Sequence, residues 1–350
     1  MENNDLLNEI LEQPEALRRL HAAYVAGNQP ALSEAAELLQ RSRTIYMAGM
    51  ATSEYAAIPA SCLLSQQGRV NFVYDASELL YYHLPALNPD SCLMLVSQSG
   101  NSAEIIHLLD ELRGRIPIIG VYNSEDSTLA KQAAIGLPML SGSQLACGSK
   151  TNLSSIALLL LLAEKVLGHD LQAAGAALLS AADSIERSLD DWEQRLSPVV
   201  DFLENSAYTV FLGRGPSRAS AMFTSVLFRE VPKVVAEGMG AATFRHGLRE
   251  MIHPAHRVVI FAPQGSTHSR LLQLARDVVE VDVPVLLVSN SDDLPESGEK
   301  FLTVRTDPQP ELWSPLVDMV PLQLVGYLLA KRRGYEPGKL IISTYVTTVE

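Results

Sequence analysis

Short apolar runs alternate along this chain with longer stretches whose apolar positions recur every three or four residues. In the first half the short runs are "TIYMAG", "VNFVY", "CLMLV", "IPIIGVY" and "IGLPML". Between and after them lie "SEYAAIPASCLLSQQ", a stretch near Leu79, a segment with Ile105, Leu108, Leu109 and Leu112, and "NLSSIALLLLLAEKVLG". Continuous apolar runs read as buried strands and the spaced positions as helices. The series predicts a parallel sheet with helices on both faces and a ligand outside the carboxyl ends of the strands. Residues 171–205 read as helical. Beyond them "YTVFLGRG" repeats the plan of "TIYMAGMAT", an apolar strand running into a Gly-rich turn before a helix. "RVVIFAP", "VPVLLVSN" and "FLTVRT" supply further strands. The expectation is therefore α/β, with two flavodoxin-like doubly wound parallel-sheet domains in tandem. Their bounds would be 1–34 for amino-terminal helices, 35–170 for the first domain, 171–205 for a helical linker, and 206–350 for the second domain with its tail.

One polar knot, "VSQSGNSAE", sits between the strand "CLMLV" and the helix that follows it. At a helix amino end, backbone N–H groups lack intrahelical partners and the dipole is positive, so an anion is favoured without a cationic side chain. Ser97, Ser99 and Ser102 add hydroxyls, Gln98 an amide, and Gly100 a flexible turn. A phosphate fits these donors, although the GK[ST] ending of a nucleoside-triphosphate loop is missing. On the loop alone, an N-cap turn with extra serines accounts for the residues equally well. The corresponding loop of the second half, "QGSTHS", differs, so the first half is expected to bind the phosphate and the second to supply other groups.

Composition narrows the partners. At 350 residues and 47% hydrophobic content, the chain suits two soluble domains with sizeable cores. Cys62, Cys92 and Cys147 cannot all pair with one another, which suits reduced thiols in the cytoplasm. The start "MENNDLLNEI" lacks a secretion pattern, and the apolar stretch 156–163 is too short to span a membrane. A net charge of −13 disfavours nucleic acid and means that an anionic substrate must be attracted locally. No metal or cofactor is expected.

Six stretches in order resemble the sugar isomerase (SIS) domain proteins, with two such domains in tandem. "NEILEQPEALRRL" is similar to the family's opening helix, "AGMATSEYAA" to its first glycine–threonine–serine turn, and "SQSGNSAE" to its phosphate loop. "GSKTNLSS" resembles its S-T-K segment, and "FLGRG" and "VPLQLVGYLLAKRRGYEPGK" the start and closing helix of its second domain. The relation is to the isomerase half of glucosamine-6-phosphate synthases and to stand-alone deglycases and deaminases of 6-phosphosugars. The resemblance implies that Ser97, Gln98, Ser99 and Ser102 hold a sugar phosphate. It places Thr52 and Ser53 on the neighbouring turn, where N-capping is the plainer reading, and Lys150 as a cation near the substrate. It also implies a catalytic pair, Glu230 and His246, separated by the family's own interval. A positioned carboxylate can move a proton between adjacent sugar carbons, and a histidine can donate one near neutrality. Glu237 matches a further acidic position with a structural reading. In the family the histidine enters the neighbouring subunit's site, so a homodimer is implied. "GMGAATFRHG" reads as a mobile or tightly turned loop suited to that reach, through Gly238, Gly240 and Gly247.

Three departures shape the expected chemistry. The chain reaches the sugar-binding part within its first residues, so no glutaminase domain is expected. Tyr345 stands where the synthases carry a lysine, removing an amine able to form a Schiff base with a ketose. Phe223 replaces an acidic residue seven positions before Glu230. What remains suits a substrate bearing its own nitrogen: a 6-phosphofructosyl or 6-phosphoglycosyl amine, split to amine and hexose 6-phosphate. The alternatives are a glucosamine-6-phosphate deaminase, a phosphosugar isomerase, and a catalytically silent phosphosugar sensor.

Overall fold

The computed structural model describes residues 4–342, 344 and 346–348. Two five-stranded sheets, parallel throughout, account for the predicted alternation. The first contains β1 (Thr44–Gly49), β2 (Asn71–Asp75), β3 (Ser91–Ser97), β4 (Ile118–Tyr122) and β5 (Ile135–Pro138), in the order β2-β1-β3-β4-β5. The second contains β6 (Tyr208–Gly213), β7 (Ala236–Gly240), β8 (His256–Phe261), β9 (Val285–Ser289) and β10 (Phe301–Arg305), in the order β10-β9-β8-β6-β7. Counted within its own sheet, each runs second-first-third-fourth-fifth, the flavodoxin-like order. The expected fold class is the observed one.

Burial explains why the strands were readable. Every residue of β3, β4 and β9 is buried, as expected for strands covered on both faces. The helix Ala103–Leu112 turns Ile105, Leu108, Leu109 and Leu112 into the core on one face of the first sheet. Cys92 and Cys147 are buried, and none of the three cysteines forms a disulfide among the described residues. Among the described residues no helix is long and apolar enough to cross a membrane.

Two compact units form. One holds residues 15–144, 150–179 and the described residues after 341; the other holds those up to 14, 145–149 and 180–341. Residues 171–205 form two helices, Leu171–Ser188 and Trp192–Glu204, separated by Asp191 in a left-handed conformation.

The segment "GMGAATFRHG" is not a loop, contrary to expectation. Its first residues end β7, and Ala241–Arg245 is a helix. Gly238 is required by packing: a Cβ there would lie 2.7 Å from the Cα of Met222, on the helix Ser217–Glu230. Only Gly247, at φ 107°, uses a glycine's backbone freedom.

Asp318 is 1% exposed in the second unit. Its Oδ1 accepts from Thr306 Oγ1 at 2.8 Å, and the Thr306 and Ser314 hydroxyls only partly offset its burial. Burial pushes its pKa up to about 7. A carboxyl raised in the folded state contributes stability that is present below its unfolded pKa, about 3.9, and is lost as pH rises through about 7. Asp318→Asn should therefore gain on wild type by about 2–4 kcal/mol between pH 4 and pH 8 in denaturant unfolding. A stability difference that stays flat across that range contradicts the assignment.

Candidate functional site

In the first unit, β1 and β3 are neighbours with Gly49 opposite Val96, so the turn after β1 and the loop after β3 lie side by side. This is the topological switch point, where doubly wound sheets bind ligands. The turn is tight: Ala51 is at φ 47°, and a Cβ on Gly49 would press on Ser53. Thr52–Tyr55 forms a short helix whose N-cap residue is Ala51, with no side-chain capping bond. N-capping therefore does not account for Thr52 or Ser53. The Thr52 carbonyl accepts from Asn152 Nδ2 at 2.9 Å, which fixes the turn and leaves both hydroxyls half-buried at the strand end.

The knot is a rigid cup. Ser97, the last residue of β3, is buried, and its Oγ accepts from the Gly100 N–H at 3.0 Å. Ser99 Oγ accepts from the Asn101 N–H at 3.3 Å. Gly100 is at φ 62°, and a Cβ there would overlap Ser127. Neighbouring loops hold the cup from behind. The Gln98 carbonyl accepts from the N–H groups of Asn123 and Ser124 at 3.1 and 3.3 Å. Asn101 Oδ1 accepts from Thr128 N–H at 2.9 Å, and the Gly100 carbonyl from Leu129 N–H at 3.1 Å. Ser102 occupies the N-cap position of Ala103–Leu112 without making a side-chain capping bond. The serine-rich capping turn therefore fails as an explanation, because no serine here caps the helix. The Ala103 N–H donates to the Thr347 carbonyl at 3.1 Å, so the tail reaches this helix end.

Lys150 is 1% exposed and begins the helix Lys150–Val166, with its ammonium close to Gly142. Asn123 joins the same loop, donating to the Gly142 carbonyl at 2.7 Å and accepting from Ser141 N–H at 3.1 Å. Arg19 donates to the carbonyls of Leu140 and Ser141 at 2.9 and 3.0 Å. A cavity of about 700 Å³ lined by Arg19, Asn123, Glu125 and Leu140 opens there. Asn101, Asn123 and Arg19 were not singled out from the sequence. Asn123 had a signal, since it directly follows β4 at the sheet's ligand-binding end.

In the second unit, Glu230 is the last residue of the helix Ser217–Glu230 and is half-buried. Burial raises its pKa above the ordinary value, an effect that Lys233 and Arg229 offset in part. Lys233, left-handed at φ 56°, donates to the Glu230 carbonyl and, at 3.0 Å, to that of Lys339. Glu9 is buried and accepts from the N–H groups of Leu145 and Ala146, pinning the segment that carries Cys147. Burial, then the charges of Glu230 and Glu9, push the Cys147 thiol up, which keeps it protonated beside Glu230. Phe223, at the position where the resemblance implies an acid, is 2% exposed and belongs to the core. Glu237 accepts from the Tyr208 hydroxyl at 2.6 Å, and Tyr345 lies outside the described residues.

His246 is exposed at the end of Ala241–Arg245. Glu230 and His246 do not share a face of their sheet. Phe211 of β6 packs on Phe228, in the helix that ends at Glu230. Val210 and Leu212, on the opposite face, pack with Phe244 beside His246. The second sheet stands between the two helices that carry the pair.

A family model described as "SIS domain" matches residues 38–165 and 202–331. Among curated proteins, glutamine–fructose-6-phosphate aminotransferase (isomerizing) of Pyrococcus horikoshii is 27% identical over 340 residues, which are 95% of this chain and 56% of that protein. The enzyme of the same description from Pyrobaculum aerophilum is 26% identical over 353 residues, 99% and 57% of the two chains. This chain thus spans about half the length of the curated relatives it matches. Among solved structures, the C-terminal domain of glucosamine-fructose-6-phosphate aminotransferase from Francisella tularensis has a TM-score of 0.87 at 21% identity, covering 96% of this chain and 98% of that one. A glucosamine-6-phosphate deaminase from Thermotoga maritima has a TM-score of 0.78 at 20% identity, covering 98% and 99%.

The cup makes a quantitative prediction for the simplest anion. Ser99→Ala removes one hydroxyl from the loop, and binding of inorganic phosphate by calorimetry should weaken by about 1–3 kcal/mol, roughly tenfold to a hundredfold. Unchanged binding in the folded variant would place the anion elsewhere.

Proposed function

The chain belongs to the SIS-domain family, with two copies of the domain, and on that premise we propose that it is a phosphosugar deglycase. Its substrate is a 6-phosphofructosyl amine, and its products are a free amine and glucose 6-phosphate. The observation that carries the reading is the environment of Glu230. A half-buried carboxyl raised by desolvation, beside an un-ionised thiol, is a stronger base than a solvated one and suits proton abstraction next to a carbonyl. The cup after β3 fits the 6-phosphate, with Ser97, Gln98, Ser99 and Ser102 as donors, Thr52 and Ser53 on the adjacent turn, and buried Lys150 as a cation.

The steps need no cofactor. Glu230 removes a proton from C1, which bears the amine, while the C2 carbonyl oxygen gains a proton, giving an enaminol. Reprotonation at C2 gives an iminium at C1. Water adds there, the C1–N bond breaks, and the amine leaves with a proton. The substrate's nitrogen replaces the lysine imine that Tyr345 cannot form. His246 is placed as the acid for ring opening or for the departing amine. A glucosamine-6-phosphate deaminase would use the same pair, and so would an isomerase that needs no imine. A panel of 6-phosphofructosyl amines, glucosamine 6-phosphate and fructose 6-phosphate, followed by amine and hexose phosphate release, separates the three. Binding without turnover of any of them would leave the sensor.

A homodimer with composite sites fits the placement of the pair. His246 lies on an exposed segment with Leu248 37% and Met251 46% exposed, across the sheet from its own chain's Glu230-bearing helix. A partner's Glu230 is the natural target.

Glu230→Gln should reduce turnover at least about a hundredfold with little loss of phosphosugar binding. The acid limb of kcat/KM should lie above the ordinary carboxylate range, because the base works only when ionised and burial raises its pKa. Lys233→Met removes an offsetting cation and should move that limb further up. A limb at the ordinary carboxylate value, unmoved by the substitution, would point to a different base.

Glu230→Gln and His246→Ala chains, each inactive alone, should regain activity when unfolded together and refolded as a mixture. A mixed dimer gathers both defects at one site and none at the other, and random pairing makes about half the dimers mixed. About a quarter of the original activity should return. Demonstrated mixed dimers with no recovery would assign His246 to its own chain.

A further inference from the structure

Two copies of one fold offer two switch points. The loop after β8, residues 262–267, is the topological counterpart of the cup after β3. Both follow the third strand of their sheet and lead into a helix, here His268–Glu280. In the first unit that loop presents hydroxyls and a helix end. In the second a side chain of the same chain is already in place. The Glu311 carboxylate accepts from the Ser266 N–H at 3.0 Å and from the Ser266 hydroxyl at 2.9 Å, both through Oε2. Gly265 lies directly against the carboxylate: a Cβ there would overlap Glu311 Cδ and both of its oxygens. Its φ of 155° is also one that side-chain-bearing residues rarely adopt. On the other side, Gln264 N–H donates to Asn290 Oδ1 at 2.7 Å.

We propose that Glu311 is a built-in anion: its carboxylate fills the second unit's counterpart of the phosphate cup and restricts phosphosugar binding to one site per chain. The chemistry of the contact is that of a bound oxyanion, a backbone N–H and a serine hydroxyl converging on one negative oxygen beside a helix amino end. Because Glu311 is tethered, it competes at an effective concentration on the order of millimolar or above, and a phosphosugar must displace it as well as bind. The segments after the fifth strands diverge accordingly. In the first unit this segment leads to buried Lys150, a cation, and in the second it delivers Glu311. The inference builds on the proposed phosphate role of the first cup and assigns a specificity-determining residue outside it.

The test uses the full chain, with fructose 6-phosphate as probe. Calorimetric titration of wild type should give one equivalent per chain. Glu311→Ala should give a second, weaker equivalent, within about a hundredfold of the first in affinity. That second equivalent should persist when Ser99→Ala weakens the first. One equivalent in a folded Glu311→Ala chain overturns the proposal. Amide exchange in wild type decides the matter even if that variant does not fold. Fructose 6-phosphate should slow exchange at residues 99–102 and leave 265–267 unchanged, and slowing at 265–267 overturns the proposal. If wild type binds no fructose 6-phosphate at all, the phosphosugar reading itself fails. Replacing Ser266 and Thr267 by alanine in wild type should leave affinity within a factor of about three, since Glu311 already keeps that loop from ligand.

Discussion

A loop can hold an anion without a cation only if it keeps N–H groups and hydroxyl protons for the ligand while its own carbonyls are satisfied elsewhere. In the loop after β3 the second part of that constraint is met. Its Gln98 and Gly100 carbonyls, which would otherwise turn negative ends toward an anion, are taken by N–H groups of Asn123, Ser124 and Leu129. The Ser97 and Ser99 oxygens accept from the loop's own amides, and each hydroxyl keeps its proton to donate. Gly100 is the one residue that allows the turn, because its backbone is left-handed and Ser127 fills the space where a side chain would be. The contacts from Asn123, Ser124, Ser127 and Leu129 all come from the segment after the neighbouring strand β4, so the parallel order of the sheet helps set the geometry of the cup.

The second unit meets a different constraint, the desolvation of a charge. Glu230 gains basicity by being half-buried, and a buried carboxylate with no compensation would simply take up a proton. Lys233 and Arg229 supply partial compensation, while the neutral Cys147 thiol adds no charge of its own. The position of Cys147 depends on Glu9, near the amino terminus, whose carboxylate ties down the backbone at 145 and 146. The amino-terminal residues therefore belong physically with the second sheet. Removing the Glu9 contact would alter the environment of Glu230 without touching it.

Most strands were legible because a sheet covered on both faces needs continuous apolar runs, and "CLMLV" or "VPVLLVSN" have no other use. β7 was not, because "AEGMG" is poor in β-branched and aromatic residues. Its glycine at 238 is dictated by the helix lying against it, a tertiary fact with no local signature. The serines after β3 were legible as a polar group, but their individual contacts were not. Which serine accepts from which amide depends on backbone angles that composition does not encode. Lys150 was given a role by the resemblance alone, and it is buried because the helix it begins is buried along most of its length. The Glu311 contact was invisible for a further reason: it joins residues 45 positions apart across two loops.

The chain carries a formal charge of −13, so its long-range field would repel the anionic substrate proposed for it. Affinity must then come from groups acting at contact. Backbone dipoles and hydroxyls suit that need, since their influence dies away within about one helical turn and adds nothing to the distant field. Lys150 is the one side-chain cation assigned to the first site, and as a buried group it is screened far less by salt than a surface lysine would be. Binding by such a site is governed by how completely the ligand replaces its hydration with fixed donors. A second negative group inside the same fold can exploit identical donors, as the Glu311 carboxylate does at Ser266. On the proposed reading, what separates the loop after β3 from its counterpart after β8 is that a neighbouring carboxylate is long enough to reach the second.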